Sequence, residues 1–314
     1  MKKLLPIARE PAPRRREAPR PVPVSSCALN GPVLDFLGLD VLWLQVTGTV
    51  CNIACRHCFI SCGPRNESHA VMTREDVLSR LEQARALGVK EYYFTGGEPF
   101  LHSDIFTFIE ETLRQGPLTI LTNGMLIDEP AATRLAELAA CSPYSLDLRV
   151  SLDGASAQEN DPIRGRGTFE STVRGAQHLE RAGLTPVLSV TTVHAKYASD
   201  EGRERFFALL RERGFHKPRV KLIPPFKLGR EAKRSGAYGP TDALAPGDLL
   251  DGEAYVLQCG SGRTVTSNGV FPCPILIEEP GARMSESLED SLVSIRLNHP
   301  ACVTCHVEGF SCRT

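Results

Sequence analysis

From about residue 40, short apolar runs alternate with longer segments of helical period. The run Val41-Leu42-Trp43-Leu44-Gln45-Val46 reads as a buried strand. Thr73-Arg74-Glu75-Asp76 has the form of a capping box and opens a helix through Ala86. Strands are predicted over residues 91–94, 118–121, 148–151, 186–193 and 219–223. The intervening helices fall over 105–115, 131–140, 169–182 and 203–213.

Six strands alternating with helices imply βαβ units and a parallel sheet, each crossover right-handed. Six units rather than eight give an α/β fold of the partial (βα)6 TIM-like barrel kind. In such sheets ligands sit at the C-terminal ends of the strands. The loop after the first strand therefore lies on the functional rim.

Beyond residue 225 the pattern changes. Residues 227–252 are rich in Gly, Pro and charge and read as a linker or lid. Arg230 and Arg234 are its candidate anion contacts, with solvated surface charge the plainer account. Asn268-Gly269, between two strand-like runs, signals a type I′ hairpin. A helix over 288–297 and then Cys302-Val303-Thr304-Cys305 follow. The organisation predicted is a disordered Pro/Arg-rich tail over 1–39, a core barrel over 40–226, the linker over 227–252, and a small cysteine-rich hairpin/helix domain over 253–314.

Composition narrows the class. Residues 1–20 carry seven Lys/Arg against two Glu, and six prolines fall in the first 23 residues, so the start reads as a solvated tail. A basic docking arm is the sharper reading, without further support. The net charge of −1 gives no global argument for nucleic acid or an acidic membrane. No secretory h-region and no apolar run of the ~20 residues needed to span a bilayer are present, so the expected location is cytoplasmic. Eleven cysteines in such a chain bind metal more often than they form disulfides.

Three of them, Cys51, Cys55 and Cys58, follow the first strand as Cys-x3-Cys-x2-Cys. They offer three thiolates where a cubane cluster takes four, which leaves one iron open. Cys62 as a fourth ligand would instead make a structural zinc site. That reading leaves the second strand end, Thr95-Gly96-Gly97-Glu98-Pro99, unexplained. Strand three ends in Thr122-Asn123-Gly124, and strand four in Ser151-Leu152-Asp153-Gly154 with Arg164 ten residues later. Glycines admit close backbone approach. A Ser and an Arg converging nearby suit a carboxylate. The combination describes a site for an amino-acid moiety beside an iron–sulfur cluster.

These motifs resemble those of radical SAM enzymes, over roughly residues 41–223. The cysteine run matches that superfamily's cluster loop, and Gly96-Gly97-Glu98-Pro99 its methionine-binding motif. Ser151 and Arg164 match the strand that holds the carboxylate and ribose of S-adenosylmethionine (SAM). The resemblance implies a [4Fe–4S] cluster on Cys51, Cys55 and Cys58, with SAM on the fourth iron. Reductive cleavage would then give a 5′-deoxyadenosyl radical that abstracts hydrogen from substrate. An external donor such as flavodoxin or ferredoxin would supply the electron. Thr122 and Asn123 would line the SAM pocket. Asp153 would contact SAM or substrate, or cap the next helix. His57 stands where the family often has an aromatic residue, and His194 lies at the end of strand five on the rim.

Cys259, Cys273, Cys302, Cys305 and Cys312 resemble the twitch form of auxiliary-cluster domain, a shortened relative of the SPASM domain. One auxiliary [4Fe–4S] cluster is expected on Cys259, Cys273, Cys302 and Cys305, with Cys312 as a substitute or a spare. If only three bind, the open iron could ligate substrate. A zinc ribbon has the same cysteine spacing. Cys27 and Cys141 are expected to be free thiols. An auxiliary cluster favours substrate oxidation. The substrate is a small metabolite or a ribosomal peptide, and the short N-terminal segment tilts slightly towards the metabolite. A non-catalytic iron–sulfur or zinc scaffold is the rival, and it leaves the SAM-site motifs unused.

Overall fold

The computed structural model describes residues 31–249 and 257–307. A two-residue strand, β1 (Val33–Leu34), precedes the main sheet. The alternating region then runs β2 (Val41–Gln45), α1 (Arg74–Ala86), β3 (Glu91–Thr95), α2 (Ile105–Leu113), β4 (Leu118–Thr122), α3 (Glu129–Ala140) and β5 (Leu146–Ser151). It continues with α4 (Ala157–Arg164), α5 (Thr168–Arg181), β6 (Val187–Thr191), α6 (Asp200–Glu212) and β7 (Arg219–Ile223). After it come α7 (Gly229–Ser235), β8 (Gly262–Thr266), β9 (Gly269–Phe271), β10 (Ile295–Arg296) and α8 (Ala301–Val307).

The order in the large sheet is β7-β6-β5-β4-β3-β2-β8-β9. Pairs from β7 through β2 to β8 are parallel, and β8–β9 is antiparallel. The mixed α/β partial barrel is therefore as expected. The hairpin, however, extends the barrel's own sheet, with Val41 opposite Gly262 and Leu44 opposite Val265.

Strand alternation sorts the residues to two faces. Leu42, Leu44, Tyr92 and Phe94 join the main core, as do Val77, Leu81 and Ala84 of α1. Val41, Trp43 and Tyr93 form a separate cluster. Trp43 stacks on Tyr93 with ring centroids 4.2 Å apart, and the Arg149 guanidinium lies 5.5 Å from the Tyr93 ring. The capping box of α1 is present, Thr73 accepting from the Asp76 amide and Asp76 from that of Thr73.

Four local expectations are corrected. The helix expected over 288–297 is a single 3-10 turn (Glu289–Ser291) followed by β10. β10 pairs antiparallel with β1, so residues 31–39, assigned to the tail, are ordered at this end. Leu34 and Leu297 are buried in the same cluster, and that long-range contact overrides helical period. The segment read as linker contains α7. The hairpin loop is Ser267 and Asn268, with neither in the left-handed region, so it is not type I′. The Thr266 hydroxyl accepts the Asn268 N–H, the Asn268 amide donates to Ser68 O, and Gly269 takes φ +119° instead. The tail over 1–30 with Cys27, residues 250–256, and Cys312 lie outside the described residues.

Candidate functional site

The loop after β2 carries Cys51 (buried) and Cys55 and Cys58 (half-buried). Backbone contacts fold it tightly. Cys51 N–H donates to Gly63 O at 3.2 Å, and Cys58 N–H to Cys55 O at 3.3 Å. The end of β3 presses against it. A Cβ on Gly97 would stand 1.9 Å from Val50 O, and one on Gly96 would stand 2.3 Å from Thr47 Oγ1. Only a residue without a Cβ allows this approach.

The ends of β4 and β5 complete the wall. Asn123 Nδ2 donates to Asn52 Oδ1 at 2.7 Å and lies 3.9 Å from Cys51 Sγ. Arg164 Nη1 lies 4.0 Å from Cys55 Sγ. Thus Cys51, Cys55, Cys58, Gly96, Gly97, Asn123 and Arg164 converge. Ser151 sits half-buried at the end of β5, and Pro99 opens a 3-10 turn.

Two carboxylates are spoken for within the chain. Glu98, fully buried, accepts from Thr122 Oγ1 (2.7 Å), Asn123 N (2.7 Å) and Phe100 N (3.2 Å). Burial pushes its carboxyl up to about 6 despite these donors. Glu98 and Thr122 therefore brace β3 to β4, and this carboxylate is not open to a ligand. Asp153, also fully buried, does not cap the next helix, whose N-cap is Ser156. Its Oδ2 meets Arg164 Nε at 2.5 Å and His57 Nε2 at 3.0 Å, while Oδ1 accepts Thr191 N–H at 2.8 Å. Burial pushes the Asp153 carboxyl up, but Arg164 and His57 outweigh it and hold the group well below the usual carboxylate range. Arg164's carboxylate partner is thus internal, one donor of its fork being used by Asp153.

Other expectations are relocated. Arg230 contacts no anion among the described residues. It clasps the cysteine loop, donating from Nε to Cys55 O (2.7 Å), from Nη1 to Ser61 O (2.7 Å) and from Nη2 to Cys62 O (2.5 Å). Arg234 pairs with buried Glu231. His194 Nε2 donates to the Glu159 carbonyl, and its ring abuts Tyr197 edge-on. Cys141 is exposed at the end of α3.

The thiols differ in acidity. Burial pushes Cys51 up to about 11 and Cys55 to about 12, the latter despite Arg164. Cys58 is lowered to about 6, chiefly by the Cys62 thiol hydrogen bond and also by the Cys62 N–H at 3.3 Å. Among the described residues, no three His, Cys, Asp or Glu side chains close on one point as a lone metal ion requires. Each thiolate of a cubane cluster takes a different iron, so that convergence is not needed there.

A second site lies across β2. Trp43, Gln258, Cys259, Cys273, Cys302 and Cys305 line one cavity, whose remaining wall is aliphatic, proline and glycine. Cys302 and Cys305 sit on α8 rather than in a loop. Trp43 Nε1–H donates to Gln258 Oε1 at 3.1 Å. Gln258 Nε2 is buried with no hydrogen-bond partner among the described residues. Burial pushes Cys273 up to about 11 and Cys302 up to about 12. Arg263, 1% exposed, donates to Ser291 O (2.8 Å), Cys259 O (2.8 Å), Gly262 O (2.7 Å) and Val293 O (2.7 Å). Sequence reading missed Arg263, Gln258 and Trp43. A charge inside a short β-prone run, Gly262–Thr266, was the available signal for Arg263.

Comparison with known proteins places this geometry. A mycofactocin maturase, MftC, of Mycolicibacterium smegmatis is 29% identical over 259 residues, covering 73% of this chain and 63% of that protein. A GTP 3′,8-cyclase of Petrotoga mobilis is 29% identical over 213 residues, covering 66% of this chain and 62% of that one. The chain thus spans under two thirds of either relative's length. The solved structure of native anSMEcpe with bound AdoMet and Cp18Cys peptide shares the fold, with TM-score 0.58 and 16% identity over 80% of this chain and 79% of that one. The Radical SAM superfamily model matches residues 46–214, more than half of the chain, through the cysteine loop and the ends of β3, β4 and β5; the chain belongs to that superfamily.

Proposed function

We propose that Cys51, Cys55 and Cys58 hold the superfamily's [4Fe–4S] cluster, with SAM against the ends of β3–β5. The chemistry supplied there, when both are bound, is a 5′-deoxyadenosyl radical that takes a hydrogen atom from substrate. The observation that carries the reading is the convergence of three cysteines on a wall made by Gly96, Gly97, Asn123 and Arg164. The donor set fits: three thiolates and, among the described residues, no competing carboxylate, since Glu98 and Asp153 are engaged elsewhere.

The chain's own groups then have distinct tasks. Asp153 fixes Arg164 and His57, and so fixes the loop between Cys55 and Cys58. Arg164 places a cation 4.0 Å from Cys55 Sγ, favouring the thiolate. The Asn123 amide faces Cys51 Sγ at 3.9 Å, a distance for a weak N–H···S contact. Arg230 holds three loop carbonyls and keeps the loop closed from the opposite side. Gly96 and Gly97 leave backbone, not side chain, beside the cysteines.

The second cavity is proposed to hold an auxiliary [4Fe–4S] cluster on Cys259, Cys273, Cys302 and Cys305. Four cysteines on one cavity, with the buried Gln258 amide N–H beside them, support it. Cys312 is not needed for a complete ligand set.

For substrate, the maturase match over 73% of the chain favours a peptide. The cyclase match over 66% supports a small molecule as the second reading. The test is 5′-deoxyadenosine formation from SAM by anaerobically reconstituted protein, reduced by flavodoxin or dithionite, with iron counted. Deoxyadenosine with about eight irons per chain is expected from two four-iron clusters. A full iron load with no SAM binding would sink the reading. Turnover that rises only with a peptide, or only with a nucleotide, separates the two substrate classes.

A further inference from the structure

Arg263 is a buried cation held by carbonyl oxygens. It lies on β8, directly after Gly262, at 1% exposure. Its donors all end on carbonyl oxygens: Ser291, Cys259, Gly262 and Val293. One face of the guanidinium is covered by the Phe36 ring, 4.8 Å from its centroid. Among the described residues it has no carboxylate partner within salt-bridge distance; the groups near enough to favour its charge, once they are thiolates, are Cys259 and Cys273.

A charge in such a place is costly unless it is paired. Carbonyl dipoles orient the fork but supply no net charge. The other buried arginine near a cysteine site, Arg164, is matched by Asp153. Arg263 has no equivalent among the carboxylates of the described residues. Beside it stand Cys259 and Cys273 of the four-cysteine cavity, a set neutral as thiols and strongly anionic once ligated, because metal binding takes the thiolate form.

We propose that Arg263 is the built-in counter-charge of the C-terminal cysteine site: its guanidinium, fixed by four carbonyls against Cys259 and Gly262, offsets the negative charge of the ligated thiolates and raises the reduction potential of the cluster held there. The proposal rests on the reading of that cavity as a cluster site. Cluster potentials follow net charge, hydrogen bonding and exposure. A fixed cation beside an oxidised cluster favours addition of an electron. Arg263 is a positioning and electrostatic residue, not a catalytic one.

The test uses the full chain with Cys51, Cys55 and Cys58 all changed to Ala, so that only the C-terminal site reports. Arg263→Gln and Arg263→Lys are made in that background and loaded with iron and sulfide. The midpoint potential is followed by electron paramagnetic resonance. The expected result is a shift to more negative potential for Arg263→Gln, with Arg263→Lys close to the parent. An unshifted Arg263→Gln overturns the proposal. So does Arg263→Lys falling as far as Arg263→Gln, since geometry rather than charge would then be at work.

Thermal unfolding of apo and loaded forms guards against a variant that loads poorly. Lost carbonyl bonds weaken both forms alike, whereas lost counter-charge shrinks only the gain on loading. A smaller gain for Arg263→Gln than for the parent supports the proposal, and an equal gain overturns it. A parent that binds no iron overturns the C-terminal reading itself, which distinguishes the two failures.

Discussion

The two cysteine regions solve one problem in opposite ways. On the barrel rim, three cysteines fall within eight residues of sequence, and the fold surrounds them with charge. Asp153 anchors Arg164 and His57, and Arg230 sits in a cradle of loop carbonyls. In the C-terminal cavity, the cysteines come from three segments between residues 259 and 305, the wall is mostly apolar, and buried Arg263 is set against Cys259 and Cys273. The rim can hold its shape through protein contacts alone. The pieces of the cavity are joined by Arg263 and by small apolar clusters.

The largest expected difference is in metal dependence. Removing iron should expose the amides of α8 to hydrogen exchange while those of α1 and α5 stay protected. Ligand bonds can carry on the order of 10 kcal/mol of folding energy in small metal domains. Equal protection of α8 with and without iron would break the contrast.

Next is Asp153→Ala. It strands Arg164 as a buried cation, and should cost about 3–5 kcal/mol in denaturant unfolding of the apo protein. The native carboxyl lies well below its ordinary value, so its contribution is complete above about pH 4 and is lost as pH falls. An unchanged midpoint would mean that the rim is not held by this ion network.

Glu98 sharpens the comparison with the opposite sign. Its carboxyl is raised from 4.5 to about 6, so the native state holds the proton longer than the unfolded chain. Stability should decline by about 2 kcal/mol as pH rises through that window. Glu98→Gln should flatten this slope, which urea titrations at pH 4.5 and 6.5 would reveal.

The smallest effect is chemical. In the apo protein Cys58 should alkylate fastest, with a pH inflection near 6, while Cys51 and Cys55 react slowly at neutral pH. Cys62→Ala removes the thiol donor but keeps the backbone N–H, so the inflection should move up only in part. No movement would take Cys62 out of the account.

The sequence carried the rim more fully than the cavity, for physical reasons. Strand period, the Thr73–Asp76 box and the Gly96-Gly97 approach are local features, and each could be read within a few residues. α4 was missed because Pro162 lies inside it, and proline argues against helix. The helix is nonetheless held at its last residue by Arg164 on Asp153, a contact between strand end and helix end. The 288–297 stretch was read as helix because nothing local announces that Ile295 and Arg296 pair with Leu34 and Val33. Arg263 was missed because its surroundings come from Phe36, Ser291 and Val293, distant in sequence. The role of Asp153 was open between ligand contact and helix cap, and the answer, a buried three-way anchor, needed the loop and β6 in place.

The insertion of β8 beside β2 also bears on how the chain is made. Synthesis runs from β2 outward to β7, and all the barrel strands have emerged well before residue 262. Until then β2, the strand that delivers the cysteine loop, is a sheet edge with open N–H and C=O groups. Such an edge invites pairing with other chains. Partly made chains expose it longest, because contacts between distant segments form late. A nascent chain halted near residue 226 should therefore be prone to aggregate through β2, whereas one extended past β9 has covered that edge with its own hairpin.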